Sequence, residues 1–405
     1  MLDFIFGDVF QTPYALVDSK SDALLCYDYA LHKDMLCIQA HGLLFESAIK
    51  EQNVEITIWK TMPVFFSNAG SDIPFDMFSA VFYLVSRYEE YLPYSPDEFN
   101  RYPHRSSLAF QQGFLKIPLV DIWLLEFESL VKQKTGIVLA RKKSYFLPTY
   151  DIDIAYSYKG KSLYRNLAGC FLDALRLKGK AVWLRWKVLA GKSKDPYDAY
   201  DFLESLHQEY HLEPIYFFLL SDGGKLDKNL NPDAVIMKSL VEKINGKYAI
   251  GIHPSIRSHE SKIILQSELQ RLQNPTRSRQ HYIRFALPDT YRNLLEAGIK
   301  EDYSMGYGSI NGFRASTAHS FFWYDLQQDE QSVLRVHPFA FMECNTRFEQ
   351  KQQAQDALDE MNMYWSQVQW SGGGFITIWH NFSLGSALEW QGWSEVYQSF
   401  LEDNF

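Results

Sequence analysis

The sequence predicts an α/β chain of two units, a smaller α/β or α+β domain over residues 1–140 and a barrel-like (β/α) domain over 141–405. Three observations carry that expectation. The chain has 405 residues, more than one ordinary domain of roughly 150. From residue 144 onward, short apolar runs alternate with stretches of helical periodicity, the pattern of parallel strands joined by crossover helices. Histidines and carboxylates recur where those apolar runs end. Apolar residues at 46% and charged residues at 22% support a large core and exclude a wholly disordered chain.

In the first unit, residues 54–59 (VEITIW) alternate like a strand, with 63–67 (PVFFS) as a neighbour. Residues 75–92 (FDMFSAVFYLVSRYEEYL) carry helical spacing and end in a charged turn. Residues 118–136 (PLVDIWLLEFESLVKQKTG) form a second amphipathic helix, with Lys132, Lys134 and Gly136 as its stop signals. Between the helices, 94–107 is a polar loop containing Pro96 and Pro103.

The second unit opens with a strand over 144–156 (SYFLPTYDIDIAY), followed by 213–224, 247–255 and 279–288. A helix over 290–300, with Gly298 near its end, precedes strands at 301–307, 334–343 and 373–380. Seven strands in about 250 residues suit a barrel better than an open three-layer sheet. The sequence contains no repeat with a period of 20–50 residues.

Composition removes several function classes. The net charge of −9 excludes a general nucleic-acid binder. No run reaches the roughly 18–20 apolar residues of a membrane span. The N-terminus, MLDFIFGDVF, lacks a basic leader region, which predicts a cytoplasmic chain, with the inner face of the membrane as the alternative. Cys26, Cys37, Cys170 and Cys344 are scattered and support neither a zinc ribbon nor a disulfide framework. Aromatics reach 16%; most fit a core, while some fit carbohydrate-stacking platforms. Residues 159–194 stand apart, with ten Lys or Arg against one acid, Asp173, and Phe171, Trp183 and Trp186 interleaved. A solvated basic helix is the plainest account. A peripheral membrane or lipid-phosphate contact is the sharper one, and nucleic acid a third.

The polar residues at strand ends form the candidate site. The first strand ends in Asp151-Ile152-Asp153, the third in His253-Pro254-Ser255, and the last in His380-Asn381; the fourth carries His281. One such residue is more often structural than catalytic. Four strand ends in one unit point to a site at the C-terminal face. Two acids two apart face the same way, so one can hold a cation while the other acts as a base. Imidazoles from neighbouring strands complete a mixed N/O site for zinc or another first-row metal, the arrangement of metal-assisted hydrolysis.

In this order the residues resemble the polysaccharide deacetylase superfamily, carbohydrate esterase family four, and most closely its divergent bacterial branch with an extra N-terminal domain. The resemblance covers 145–385 and, through 75–92 followed by PLVDIW, nearly the whole chain. Thr149-Tyr150-Asp151-Ile152-Asp153 stands where the family has Thr-Phe-Asp-Asp-Gly. It implies Asp151 as the catalytic base and Asp153, displaced by one position, as a metal ligand. His253 matches the first histidine of the second motif. The fifth residue there is Arg257, which cannot bind a metal; His259 falls on another face, and His281 is left as the third ligand. Gly312-Phe313-Arg314-Ala315-Ser316 implies Arg314 as the residue orienting the base. Ile376-Thr377-Ile378-Trp379-His380 implies His380 as the general acid, and His337 is read as structural. The resemblance further implies a distorted (β/α)7 barrel and a divalent metal, zinc first, with cobalt, nickel or manganese as alternatives. The implied reaction is hydrolysis of a non-peptide C–N bond, removing an N-acetyl or related acyl group from a sugar or glycan precursor in surface polysaccharide biosynthesis. The rival is a non-catalytic glycan-binding or polysaccharide-assembly protein on the same fold.

Overall fold

The computed structural model describes residues 1–19, 22–32 and 35–405. Strands β1 (Leu25–Asp28) and β2 (Leu36–Gln39) pair in parallel, and β3 (Thr57–Trp59) and β4 (Met62–Val64) form a hairpin. Helix α1 (Met77–Val85) starts where the Asp76 carboxylate accepts the Ser79 N–H at 3.0 Å, capping the first turn. The same carboxylate accepts the Tyr27 hydroxyl and the His41 N–H, so one acid ties the helix to β1 and to the chain leaving β2. The helix expected through residue 92 stops at Val85. Arg87 turns left-handed (φ 57°), its guanidinium reaches Glu89 and Glu90, and a single 3₁₀ turn follows at Tyr88–Tyr91. After the short α2 (Leu108–Gln111), α3 (Leu119–Thr135) ends at Gly136, whose φ of 77° suits a residue without a Cβ.

From here the chain alternates. β5 (Tyr145–Ile152) leads into the hairpin of α4 (Leu163–Leu175) and α5 (Gly179–Leu189) and then α6 (Tyr200–Glu209). β6 (Ile215–Phe218), α7 (Val235–Asn245), β7 (Ala249–Ile252) and α8 (Lys262–Arg271) follow. Next come β8 (Arg277–Ser278), α9 (Asp289–Glu296) and β9 (Glu301–Asp302). The hairpin β10 (Phe321–Asp325) and β11 (Glu330–Val336), then β12 (Phe341–Met342), α10 (Ala354–Ser371), β13 (Gly374–His380) and α11 (Trp393–Asn404) complete the chain.

Nine strands join in one sheet of order β10-β11-β9-β8-β7-β6-β5-β13-β12. Every neighbouring pair is parallel except β10 with β11. The hydrogen-bonded order has two ends, at β12 and β10, so the closed (β/α)7 barrel expected from the sequence is not seen in the strand pairing. Three expected strands differ in extent. The run 279–288 is not a strand: β8 ends at Ser278, and His281–Ile283 make a 3₁₀ turn with Tyr282 at φ 58°. The run 334–343 divides into β11 and β12 around Pro338, which has no N–H for a ladder. The run 301–307 contributes only Glu301–Asp302. Pro148 sits inside β5 where only β13 pairs with it, since pairing with β6 begins at Thr149.

One continuous apolar core runs through the chain, from Phe4 and Ile5 past Phe65 and Trp123 to Phe217 and Trp379. Buried polar contacts stitch the same seam. Glu90 holds Arg314 at 2.6 Å, and Asp121 of α3 accepts the Thr317 hydroxyl and the Ala318 N–H.

Candidate active site

The C-terminal ends of β5, β7, β8, β12 and β13 open into one pocket of about 230 Å³. Side-chain alternation in β5 decides what faces it. Tyr150 points to the opposite side, where its hydroxyl meets His207 and Tyr397. Thr149 and Asp151 share the other face, and both meet the Arg279 guanidinium, at 2.7 Å and 2.9 Å. Arg279 is fully buried, stacks on the Phe217 ring and donates to the Tyr303 carbonyl. It therefore fixes one oxygen of Asp151, while the other, Oδ2, lies 3.7 Å from His253 Nε2.

Asp153, just past the end of β5, is the focus. Its Oδ1 lies 3.2 Å from His253 Nε2; its Oδ2 lies 3.4 Å from His281 Nε2 and 3.5 Å from His380 Nε2. Each imidazole is held from behind. His253 Nδ1 sits 2.6 Å from the Arg279 carbonyl, His281 Nδ1 2.8 Å from Asp227, and His380 Nδ1 2.8 Å from Glu343. A carbonyl or carboxylate at Nδ1 requires the proton there, which leaves the Nε2 lone pair for the pocket in a neutral ring. Neutral His253 and His281 rings would thus aim two lone pairs at a carboxylate whose buried Oδ1 has no hydrogen-bond partner. Such an acceptor-only set fits a divalent cation, and Asp153, His253 and His281 have ligand atoms within 4.8 Å of one another.

Without a cation the same charges pull protons onto His281 and His380. Burial alone would depress His281, but the Asp153 and Asp227 carboxylates outweigh it and hold it at about 9. Burial would raise Asp153, but the His281, His253 and His380 rings keep its carboxyl well below the usual range. His380 lies well above the ordinary histidine value: burial opposes the proton, while the Glu343 carboxylate 2.8 Å from Nδ1 favours it. Burial and Glu343 push the Cys344 thiol up to about 12, so Cys344 stays protonated beside His380. Glu343, Cys344 and His380 are themselves close enough to hold a metal, but Glu343 already accepts the His380 backbone N–H and Nδ1. Cys26, Asp28 and His32 form a third, half-exposed group far along the chain from the pocket.

Of the six residues singled out in the sequence, five meet here: Asp151, Asp153, His253, His281 and His380. Arg314 does not. Its guanidinium binds Glu90 through Nε (2.9 Å) and Nη2 (2.6 Å) and the Gly306 carbonyl through Nη1. Backbone bonds from Phe313 to Leu115 and from Val120 to Ser316 pin its loop onto residues 115–120, and the arginine pairs with Glu90 rather than Asp151. Arg279 occupies the place expected of it. His337 pairs with Glu301 and stacks on Tyr303, and His259 lies against Thr290; neither lines the pocket. Sequence reasoning missed Arg279, Asp227 and Glu343. Arg279 stands two residues before His281, and Glu343 ends an apolar run, so both carried a signal. Asp227 lies in a Gly-containing loop and carried none.

The family of unknown function DUF7033 matches residues 1–136. No curated protein matches the chain. Among solved structures, a candidate polysaccharide deacetylase from Mycobacterium smegmatis is 14% identical, covering 65% of this chain and 84% of its own, with a TM-score of 0.41. A candidate polysaccharide deacetylase involved in O-antigen biosynthesis, from Bordetella bronchiseptica, is 12% identical, covering 64% and 90%, with a TM-score of 0.34. Likeness at these scores carries no functional weight.

Proposed function

We propose that the chain is a divalent-metal-dependent hydrolase that removes an N-acetyl or related acyl group from a sugar or glycan precursor. The observation that carries this reading is the convergence of three Nε2 atoms on Asp153, next to a second carboxylate, Asp151, with an oxygen left for proton transfer. The order of the motifs along the chain, and their resemblance to the polysaccharide deacetylases, supply the substrate class.

Asp153, His253 and His281 would hold the cation, zinc first by donor chemistry. A bound divalent ion there would acidify a water and polarise the acyl carbonyl. The chain's own groups do the rest. Arg279 keeps the Asp151 carboxylate in place by occupying Oδ1, and Oδ2 takes the proton of the attacking water. His380 gives the proton from Nε2 to the departing nitrogen as the C–N bond breaks, while Glu343 holds its Nδ1 proton and orients the ring. Tyr282 and Phe348 line the pocket and remain partly exposed, which suits them to stack on a sugar face.

The test is acetate release by protein loaded with zinc, cobalt or manganese. The substrates are N-acetyl amino sugars in free, nucleotide-linked and lipid-linked form. Acetate and free amine should appear in equal amounts and vanish in Asp151→Asn. A metal-loaded wild type that releases acetate from none of these would overturn the proposal and leave glycan binding as the function to examine.

A further inference from the structure

The hairpin of α4 and α5 is built inside out. Between the helices lie polar groups: Arg185 is buried, pairs with Asp173 at 2.6 Å, lies 3.3 Å from Asn166 and stacks on Tyr158. Gly169 leaves room for that approach: a Cβ there would stand 2.7 Å from the Arg185 guanidinium, which would have to shift. The apolar side chains turn outward. Phe171 and Leu175 are each 65% exposed, Trp183 is 61% exposed and Leu177, at the tip, 92%. A water-soluble helix pair normally does the reverse, and a contiguous exposed apolar surface marks something that covers it.

Charge identifies the occupant. In a chain of net charge −9, residues 159–194 carry ten Lys or Arg and one acid. Among the described residues, Arg165, Arg176, Lys178 and Lys180 are exposed and have no carboxylate partner. A second copy of the same basic surface would be repelled. Nucleic acid would satisfy the charges but leave Phe171, Leu175 and Leu177 in water. An anionic lipid surface satisfies both, because basic side chains meet headgroups while Trp, Phe and Leu enter the acyl boundary. Among the described residues no helix is long and apolar enough to cross a membrane, so the hairpin would lie on the surface.

The hairpin is also fixed to the pocket. It is inserted directly after Asp153, and both of its legs are tied at the base. The Asp195 carboxylate accepts the N–H groups of Ser157 and Tyr158, and Asn381, next to His380, lies 3.1 Å from the Ile154 carbonyl and 2.8 Å from that of Tyr197. We propose that the α4–α5 hairpin docks the protein on an anionic lipid bilayer, with the pocket held at the membrane–water boundary. The docking stands whether or not the pocket removes acyl groups.

Co-sedimentation with vesicles tests it. Wild type should pellet with phosphatidylglycerol–phosphatidylethanolamine vesicles and not with pure phosphatidylcholine. Binding should fall in about 1 M salt, where the Debye length is about 3 Å. Two exposed-site variants separate the terms. Arg176→Glu with Lys178→Glu and Lys180→Glu removes the charge; Phe171→Ser with Leu175→Ser and Leu177→Ser keeps the charge and removes the apolar surface. Each should weaken binding by at least about tenfold, with metal content and melting temperature unchanged. Failure of wild type to bind anionic vesicles overturns the proposal without any variant. Full binding by the serine variant would reduce it to charge adsorption and overturn it. So would a lipid-free wild-type dimer that the serine variant dissolves.

Discussion

His281 Nδ1 lies 2.8 Å from Asp227 Oδ1, and that contact turns the opposite nitrogen toward Asp153, 3.4 Å away. Asp227 therefore sets the tautomer of a ring proposed to hold the metal, without lining the pocket itself. Groups in this position typically contribute 10- to 100-fold in metal affinity. Asp227→Ala should weaken zinc binding by about that factor in a calorimetric titration. Unchanged affinity would leave Asp227 a loop residue only.

Arg279 and Arg314 are both buried and both paired with acids, yet only Arg279 touches the site. Arg279→Lys keeps the charge but loses the shared hold on Thr149 and Asp151. It should cut kcat by about 100-fold or more, because Asp151 loses its fixed position. Arg314→Met leaves the buried Glu90 with Arg87 as its remaining arginine partner and should cost about 1.5–3 kcal/mol of stability. Its kcat, measured in the folded fraction, should stay near wild type. Denaturant midpoints and steady-state rates on the two variants check both outcomes; the opposite pattern would return Arg314 to the site.

Phe348 lines the pocket, is 56% exposed and meets the Trp390 ring edge-on at 5.4 Å. If it stacks on a sugar, Phe348→Ala should raise KM about three- to tenfold with kcat little changed. A fall in kcat at constant KM would place it in the chemistry instead.

His207 provides a pH dependence separate from the pocket. Burial pushes it down to about 3, and its Nε2 lies 2.9 Å from the Tyr150 hydroxyl. The folded state keeps it neutral, while the unfolded chain protonates it near the ordinary value of about 6.5. Its share of stability is therefore complete above about pH 6.5 and declines as the pH falls toward 3. Denaturant midpoints between pH 7 and 4 should fall in wild type and fall less steeply in His207→Gln. Equal slopes would show that His207 is not the linked group.

The site was legible where it follows strand periodicity. Asp151, Asp153, His253 and His380 end apolar runs that the structure confirms as β5, β7 and β13. His281 was found although its strand was misplaced, because the turn after β8 keeps it at the same sheet end. Arg314 was misassigned because a local motif does not reveal which unit its loop packs against; Leu115, Val120 and Glu90 decide that from far away in sequence. The pairing of β1 with β2 and the β10–β11 hairpin were not foreseen, since β1, β2 and β10, of four or five residues, give a weak periodic signal. Residues 159–194 read as a basic stretch with aromatics interleaved, but only the buried Arg185–Asp173 pair shows which side faces in.

The central claim is a divalent cation on Asp153, His253 and His281. Elemental analysis of purified wild type beside Asp153→Ala and His253→Ala tests it most directly. The account predicts about one ion per chain in wild type and loss from both variants, with the fold retained by circular dichroism. A wild type that holds no metal after incubation with zinc, cobalt and manganese would contradict it.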